Sequence, residues 1–119
     1  MLSAPTSWHL TVCGSGDATI VRLRGKAIYL HESDVERLHD ELFGLAERMS
    51  GRHLVVDLSD VLFLTSTTVE VLLALRRHLR GWGGRLSVCN PTPAIRDLFE
   101  ALQLDQIFDV HVRPVLVEL

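Results

Sequence analysis

Four hydroxyl side chains stand in a row at Thr65-Ser66-Thr67-Thr68, and no other stretch of this chain has as much chemistry to offer. The apolar stretch Val61 to Leu64 precedes them and helical spacing follows, so the run falls at a helix N-terminus. There, hydroxyl oxygens accept backbone N–H groups that the first helical turn leaves unpaired. One cap uses one or two hydroxyls, not four. A hydroxyl at such an accessible place is also a phospho-acceptor. A phosphate would add roughly −1.5 to −2 charges at neutral pH. The positive end of a helix tolerates that charge, whereas a docked partner can be displaced by it.

Other constellations carry weaker signals. The six histidines (His9, His31, His39, His53, His78 and His111) are scattered, with no metal-ligand spacing, so surface or edge positions are expected and no metal site. Gly81-Trp82-Gly83-Gly84 comes after a helix and before a strand, which makes it a helix stop, not a phosphate cradle. The G-x-S-x-G elbow of a nucleophilic serine is absent. Asp57 ends a strand, as a phospho-accepting receiver aspartate does, but Cys13-Gly14-Ser15 supplies no acidic pair to hold magnesium. Arg76, Arg77, Arg80 and Arg85 are the clearest charge asymmetry. They suit the C-terminal end of a helix, and the sharper reading is a patch for an acidic partner. Cys13 and Cys89 lie far apart without C-x-x-C spacing, so reduced, non-catalytic thiols in a cytoplasmic protein are expected.

The elements that must position these residues alternate along the chain. His9 to Cys13 and Ala18 to Leu23 read as strands joined by the turn Gly14-Ser15-Gly16-Asp17. Ser33 and Glu36 form a capping box, and Val35, Leu38, Leu42, Leu45, Ala46 and Met49 recur at helical spacing, which predicts a helix over 33–49. His53 to Leu58 contains the continuous apolar run Leu54-Val55-Val56, the habit of a strand covered on both faces. A second helix starts in the hydroxyl run, with Thr67 and Glu70 able to form another capping box, and extends to about Arg80. Leu86 to Cys89 is the next strand. Pro93 sits at the first position of a third helix, with Ile95, Leu98, Phe99 and Leu102 as its apolar stripe. Ile107 to Val112 is a last strand. This order implies an α/β domain with a mixed, mainly parallel sheet of four to five strands, an antiparallel N-terminal edge strand and three main helices. Leu38, Leu42, Val55, Val56, Leu98, Phe99 and Leu102 are expected to be buried.

At 119 residues the chain fits one domain, with a core over about 8–112 and terminal segments 1–7 and 113–119. Charged residues make up 23% and the net charge is −3, which argues against the broad cationic footprint of a nucleic-acid binder. No apolar run reaches the roughly 18 residues needed to span a bilayer, and Met1 to Leu10 lacks the pattern of a signal peptide.

The segment Val55-Val56-Asp57-Leu58-Ser59-Asp60-Val61-Leu62-Phe63-Leu64-Thr65-Ser66-Thr67-Thr68 resembles the core signature of STAS domains, the bacterial anti-sigma factor antagonists. The resemblance continues through Gly83 to Pro91, Ile95 to Glu100 and Leu104 to Phe108, and covers about residues 20–112. It implies no enzyme activity and no cofactor. In the sigma-regulatory members, an unphosphorylated antagonist binds a switch protein kinase, the anti-sigma factor, and releases a sigma factor. The kinase then phosphorylates the serine after the motif aspartate. That serine corresponds to Ser66 here, with Thr67 and Thr65 as lesser candidates, and Thr65, Ser66, Thr67, Thr68 and Glu70 are the implied partner interface. Thr65 replaces the motif aspartate, Thr68 and Glu70 replace glycines, and Gly25-Lys26-Ala27-Ile28 stands where the family often reads G-E-L-D. The leading reading is an anti-sigma factor antagonist with Ser66 as the phospho-acceptor, and the loss of the motif aspartate favours a second one. In it the chain is a constitutive STAS interaction module in a signalling assembly or a lipid-transport ABC complex, without regulation by phosphorylation.

Overall fold

The run Leu54-Val55-Val56 forms the middle of strand β3 (His53–Asp57), and all three side chains are fully buried. The computed structural model describes residues 9–13, 18–24, 32–48 and 53–111. In it β3 is the central strand of a five-stranded sheet. Its neighbours are β2 (Ala18–Arg24) and β4 (Arg85–Cys89), and β1 (His9–Cys13) and β5 (Asp109–His111) form the edges. Strands β2 to β5 run parallel, while β1 pairs antiparallel with β2. Helix α1 (Glu32–Arg48) lies between β2 and β3 in the chain, α2 (Ser66–Arg80) between β3 and β4, and α3 (Pro93–Ala101) between β4 and β5. Parallel neighbours need such crossovers, because a hairpin cannot join them.

The register sorts side chains into two faces, since successive residues of a strand point to opposite sides. Val21, Val56, Val88 and Val110 are aligned across four strands. Val21, Val56 and Val88, with half-buried Val110 packed against them, belong to the core that also takes Leu38 and Leu42 from α1, Leu72, Leu75 and Leu79 from α2, and Ile95 and Phe99 from α3. The opposite face carries the row Arg22, Asp57, Cys89, His111 and the row Ile20, Val55, Ser87, Asp109. One face of the sheet is therefore apolar and helix-covered, and the other combines buried apolar positions with polar groups.

Several boundaries differ from the sequence reading. Helix α1 begins at Glu32, so Ser33 lies inside it and does not precede it. Leu102, expected in the core, is 53% exposed because α3 ends at Ala101 and the apolar stripe does not continue past it. Leu98 is half-buried at the core's edge. Leu104, in the 3-10 turn Leu104–Gln106, and Phe108 are buried instead, and Phe108 stacks 5.8 Å from Phe99. The last strand starts at Asp109, not Ile107, because the backbone N–H groups of Ile107 and Phe108 are still bonded to the Leu104 carbonyl. Cys89 is buried, while the side chain of Cys13 lies outside the described residues, as do segments 1–7 and 113–119. No helix among the described residues is long and apolar enough to cross a membrane.

Candidate interaction site

The loop from β3 to α2 is fixed from both ends. Asp57 is 5% exposed; its Oδ1 accepts from the Ser59 N–H at 2.9 Å, and its Oδ2 accepts from Arg22 Nε at 3.3 Å. Asx side chains that bond the backbone two residues on build turns, so this aspartate shapes the loop. The Leu58 N–H donates to the Cys89 carbonyl and the Val61 N–H to the Leu58 carbonyl, each at 3.0 Å. Thr92 Oγ1, the cap of α3, donates to the Val61 carbonyl at 2.9 Å and accepts from the Ile95 N–H at 3.4 Å. Leu64 is buried as an anchor. Between these restraints Leu62 and Phe63 are held outward, 53% and 45% exposed.

The hydroxyl run then divides into separate roles. Thr65 is the N-cap of α2, and its Oγ1 accepts from the Thr68 N–H at 3.2 Å and lies 3.0 Å from Thr68 Oγ1. Thr68 is fully buried. The cap is therefore the Thr65–Thr68 pair, not a Thr67–Glu70 box, and Thr68 is a structural residue and cannot face a partner. Ser66 is not the cap but the first residue of the helix, and Ser66, Thr67 and Glu70 are exposed. The Ser66 hydroxyl has no hydrogen-bond partner among the described residues. The first turn of α2 carries no acidic side chain, so nothing there already offsets the positive end of the helix dipole. Leu62, Phe63, Ser66, Thr67 and Glu70 are thus exposed along this loop and the first turns of α2, two apolar, two hydroxylic and one acidic. Leu62 and Phe63 were not legible as surface residues in the sequence, where they read as part of a continuous apolar stretch with Val61 and Leu64.

The structure brings two of the scattered histidines together on the polar face of the sheet. His53 Nε2 lies 2.7 Å from Ser87 Oγ, Ser87 Oγ donates to Asp109 Oδ2 at 3.1 Å, and His111 Nε2 lies 3.3 Å from the same oxygen. Burial disfavours the Asp109 carboxylate, but the Ser87 hydrogen bond and the neighbouring His111 outweigh it and hold its pKa below the ordinary value. An ionised carboxylate only accepts, so the Ser87 proton goes to Asp109 and the His53 Nε2–H donates to Ser87 Oγ. Burial, together with Arg85, lowers the His53 pKa, which fits that neutral form. Ser87 is fully buried with its proton committed to a carboxylate, the reverse of an activated nucleophile. No group of His, Cys, Asp and Glu suited to a metal ion occurs among the described residues.

Comparison with known proteins bears on the family and the fold. The family model described as "Mlab, STAS domain" matches residues 10–117. The chain is 29% identical over 93 residues to the anti-sigma F factor antagonist of Paenibacillus polymyxa, covering 77% of this chain and 76% of that protein. It is 32% identical over 59 residues to a STAS-domain protein of Pseudomonas aeruginosa, covering 50% of this chain and 58% of that one. The crystal structure of an anti-sigma factor antagonist from Mycobacterium paratuberculosis superposes with a TM-score of 0.74 at 27% identity, over 92% of this chain and 90% of that one. The five-stranded sheet, the pinned loop after Asp57 and the exposed serine opening α2 belong to a member of the STAS domain family.

Proposed function

We propose that this protein is an anti-sigma factor antagonist, which acts by binding an anti-sigma switch kinase and is turned off by phosphorylation at Ser66. The observation that carries the reading is the division of labour at the start of α2. Thr65 caps the helix, which leaves the Ser66 hydroxyl exposed and without structural duty. A phosphate on Ser66 would sit at a helix N-terminus, where anions are favoured, so the fold survives the modification. The same charge would stand beside Leu62 and Phe63, and a partner that buries those side chains would have to desolvate it. The relatives named as anti-sigma factor antagonists support the same function. On this reading the chain catalyses nothing itself, binds no cofactor and works in the cytoplasm.

One observation favours the constitutive alternative. Thr65 stands where the family motif has an aspartate, which suits a fixed subunit of a signalling assembly or a lipid-transport complex. Incubation with ATP and the cognate kinase separates the two. The switch requires a phosphate mapped to Ser66 by mass spectrometry and absent from Ser66→Ala. A stable complex that forms without any phosphate on residues 65–68 establishes the constitutive module.

A further inference from the structure

Residues 76–85 contain Arg76, Arg77, Arg80 and Arg85 and no carboxylate, on a chain whose net charge is −3. Arg77 and Arg80 are exposed and pair with no carboxylate among the described residues, whereas Arg85 shares the polar face of the sheet with Ser87 and acts on Asp109 there. The helix dipole accounts for Arg77 and Arg80, which lie in the last turn of α2. Arg85, which opens β4 beside Asp109, is no part of this end of the helix, but the dipole only favours a cation there, and Arg77 and Arg80 keep their guanidinium groups free of any carboxylate among the described residues. Trp82, two residues after Arg80, is 51% exposed. It is nonetheless braced: its ring lies 4.7 Å from His78, His78 lies 5.0 Å from Phe43 of α1, and Phe43 stacks 4.2 Å from His39. An indole held in place while half exposed loses little conformational freedom on docking. Trp and Arg are also the residue types that dominate protein-interface energetics.

We propose that the C-terminal end of α2 and the turn after it, Arg77, Arg80 and Trp82, dock an acidic peptide segment of a partner protein. Carboxylates meet guanidinium groups in paired, charge-assisted hydrogen bonds, and the indole covers the apolar part of the segment. Ser66 and Arg80 are the two ends of α2, about 21 Å apart at about 1.5 Å rise per residue. The surface is therefore separate from the Ser66 end and needs no phosphorylation there. A peptide suits it better than an anionic bilayer, because Trp82 is the single exposed large apolar side chain within 76–85, whereas surface anchoring in a bilayer uses an extended apolar helix face.

The test is fluorescence anisotropy of dye-labelled hexaglutamate titrated with the full chain at low and physiological salt. Binding that weakens with salt is expected for the parent, and Arg77→Glu/Arg80→Glu should lower affinity at least about tenfold, because attraction becomes repulsion. Arg37→Glu/Arg96→Glu makes the same charge change at other exposed positions and should retain binding. Trp82→Ala should weaken it and Ser66→Asp should not alter it. If circular dichroism shows that the double Glu variant is unfolded, Arg80→Gln carries the test, with a smaller loss expected. The proposal is overturned if the parent does not bind, if the Arg37/Arg96 variant loses as much as the Arg77/Arg80 variant, or if Ser66→Asp abolishes binding. Sedimentation with phosphatidylglycerol vesicles in place of peptide binding would overturn it in favour of a membrane.

Discussion

Replacing Thr65 with Ala should destabilise the protein far more than replacing Ser66 with Ala, although the two are adjacent hydroxyl residues. Thr65 Oγ1 satisfies the Thr68 N–H at 3.2 Å and is the partner, at 3.0 Å, of the Thr68 hydroxyl. Loss of a Thr cap costs about 0.5–2 kcal/mol. The Thr68 hydroxyl is fully buried, and stranding a buried polar group costs a further ~1–3 kcal/mol. Both losses arise from one oxygen and do not add in full, so Thr65→Ala should cost about 2–3 kcal/mol. Ser66→Ala, at an exposed position, should stay within about 0.5 kcal/mol of the parent. Urea unfolding followed by circular dichroism reads both as shifts in midpoint at unchanged slope. In a Thr68→Val background the buried hydroxyl is gone, and Thr65→Ala should then cost only the cap, about 1 kcal/mol. A Ser66→Ala cost equal to that of Thr65→Ala, or the same Thr65→Ala cost in both backgrounds, refutes this assignment of roles.

The sheet-face network makes stability depend on pH with a definite sign. The His53 pKa is held below its ordinary value of 6.5, first by burial and then by Arg85, so the unfolded chain takes up that proton before the folded one. Stability is therefore present above pH 6.5 and declines as pH falls below it; His53→Gln, which keeps a donor toward Ser87 but does not titrate, should show a shallower decline between about pH 7 and 5 in urea titrations. In α3, Phe99→Ala should cost about 3–5 kcal/mol, because Phe99 is 2% exposed and stacks on Phe108. Leu102→Ala should be near neutral in the same thermal or urea assay, since that side chain is 53% exposed.

The succession of strands and helices along the chain was legible because its signals are local. Leu54-Val55-Val56 announces a strand buried on both faces, Pro93 marks the start of α3, and the glycines at 81, 83 and 84 mark the end of α2; each lies where it was expected. The hydroxyl run was legible as a helix start, but not its internal division. Which hydroxyl caps depends on where the chain enters the helix, and that is set by Asp57, Thr92 and the buried Leu64, residues up to 27 positions from Thr65 in the sequence. The outward placement of Leu62 and Phe63 has the same origin. Leu102 was misplaced because apolar periodicity alone does not say where a helix stops. His53, Ser87, Asp109 and His111 are brought together by parallel register across three strands, a non-local relation that no spacing in the chain records.

The central claim, that Ser66 controls attachment to an anti-sigma factor, is tested most directly by isothermal titration of the cognate anti-sigma kinase with the parent, Ser66→Ala and Ser66→Asp proteins, each first shown to be folded. The account predicts that the parent and Ser66→Ala bind alike, because the serine hydroxyl holds nothing in place, and that Ser66→Asp binds at least about tenfold more weakly, a charge facing an apolar contact surface. Equal affinity for all three proteins contradicts it, as does the absence of binding by the parent.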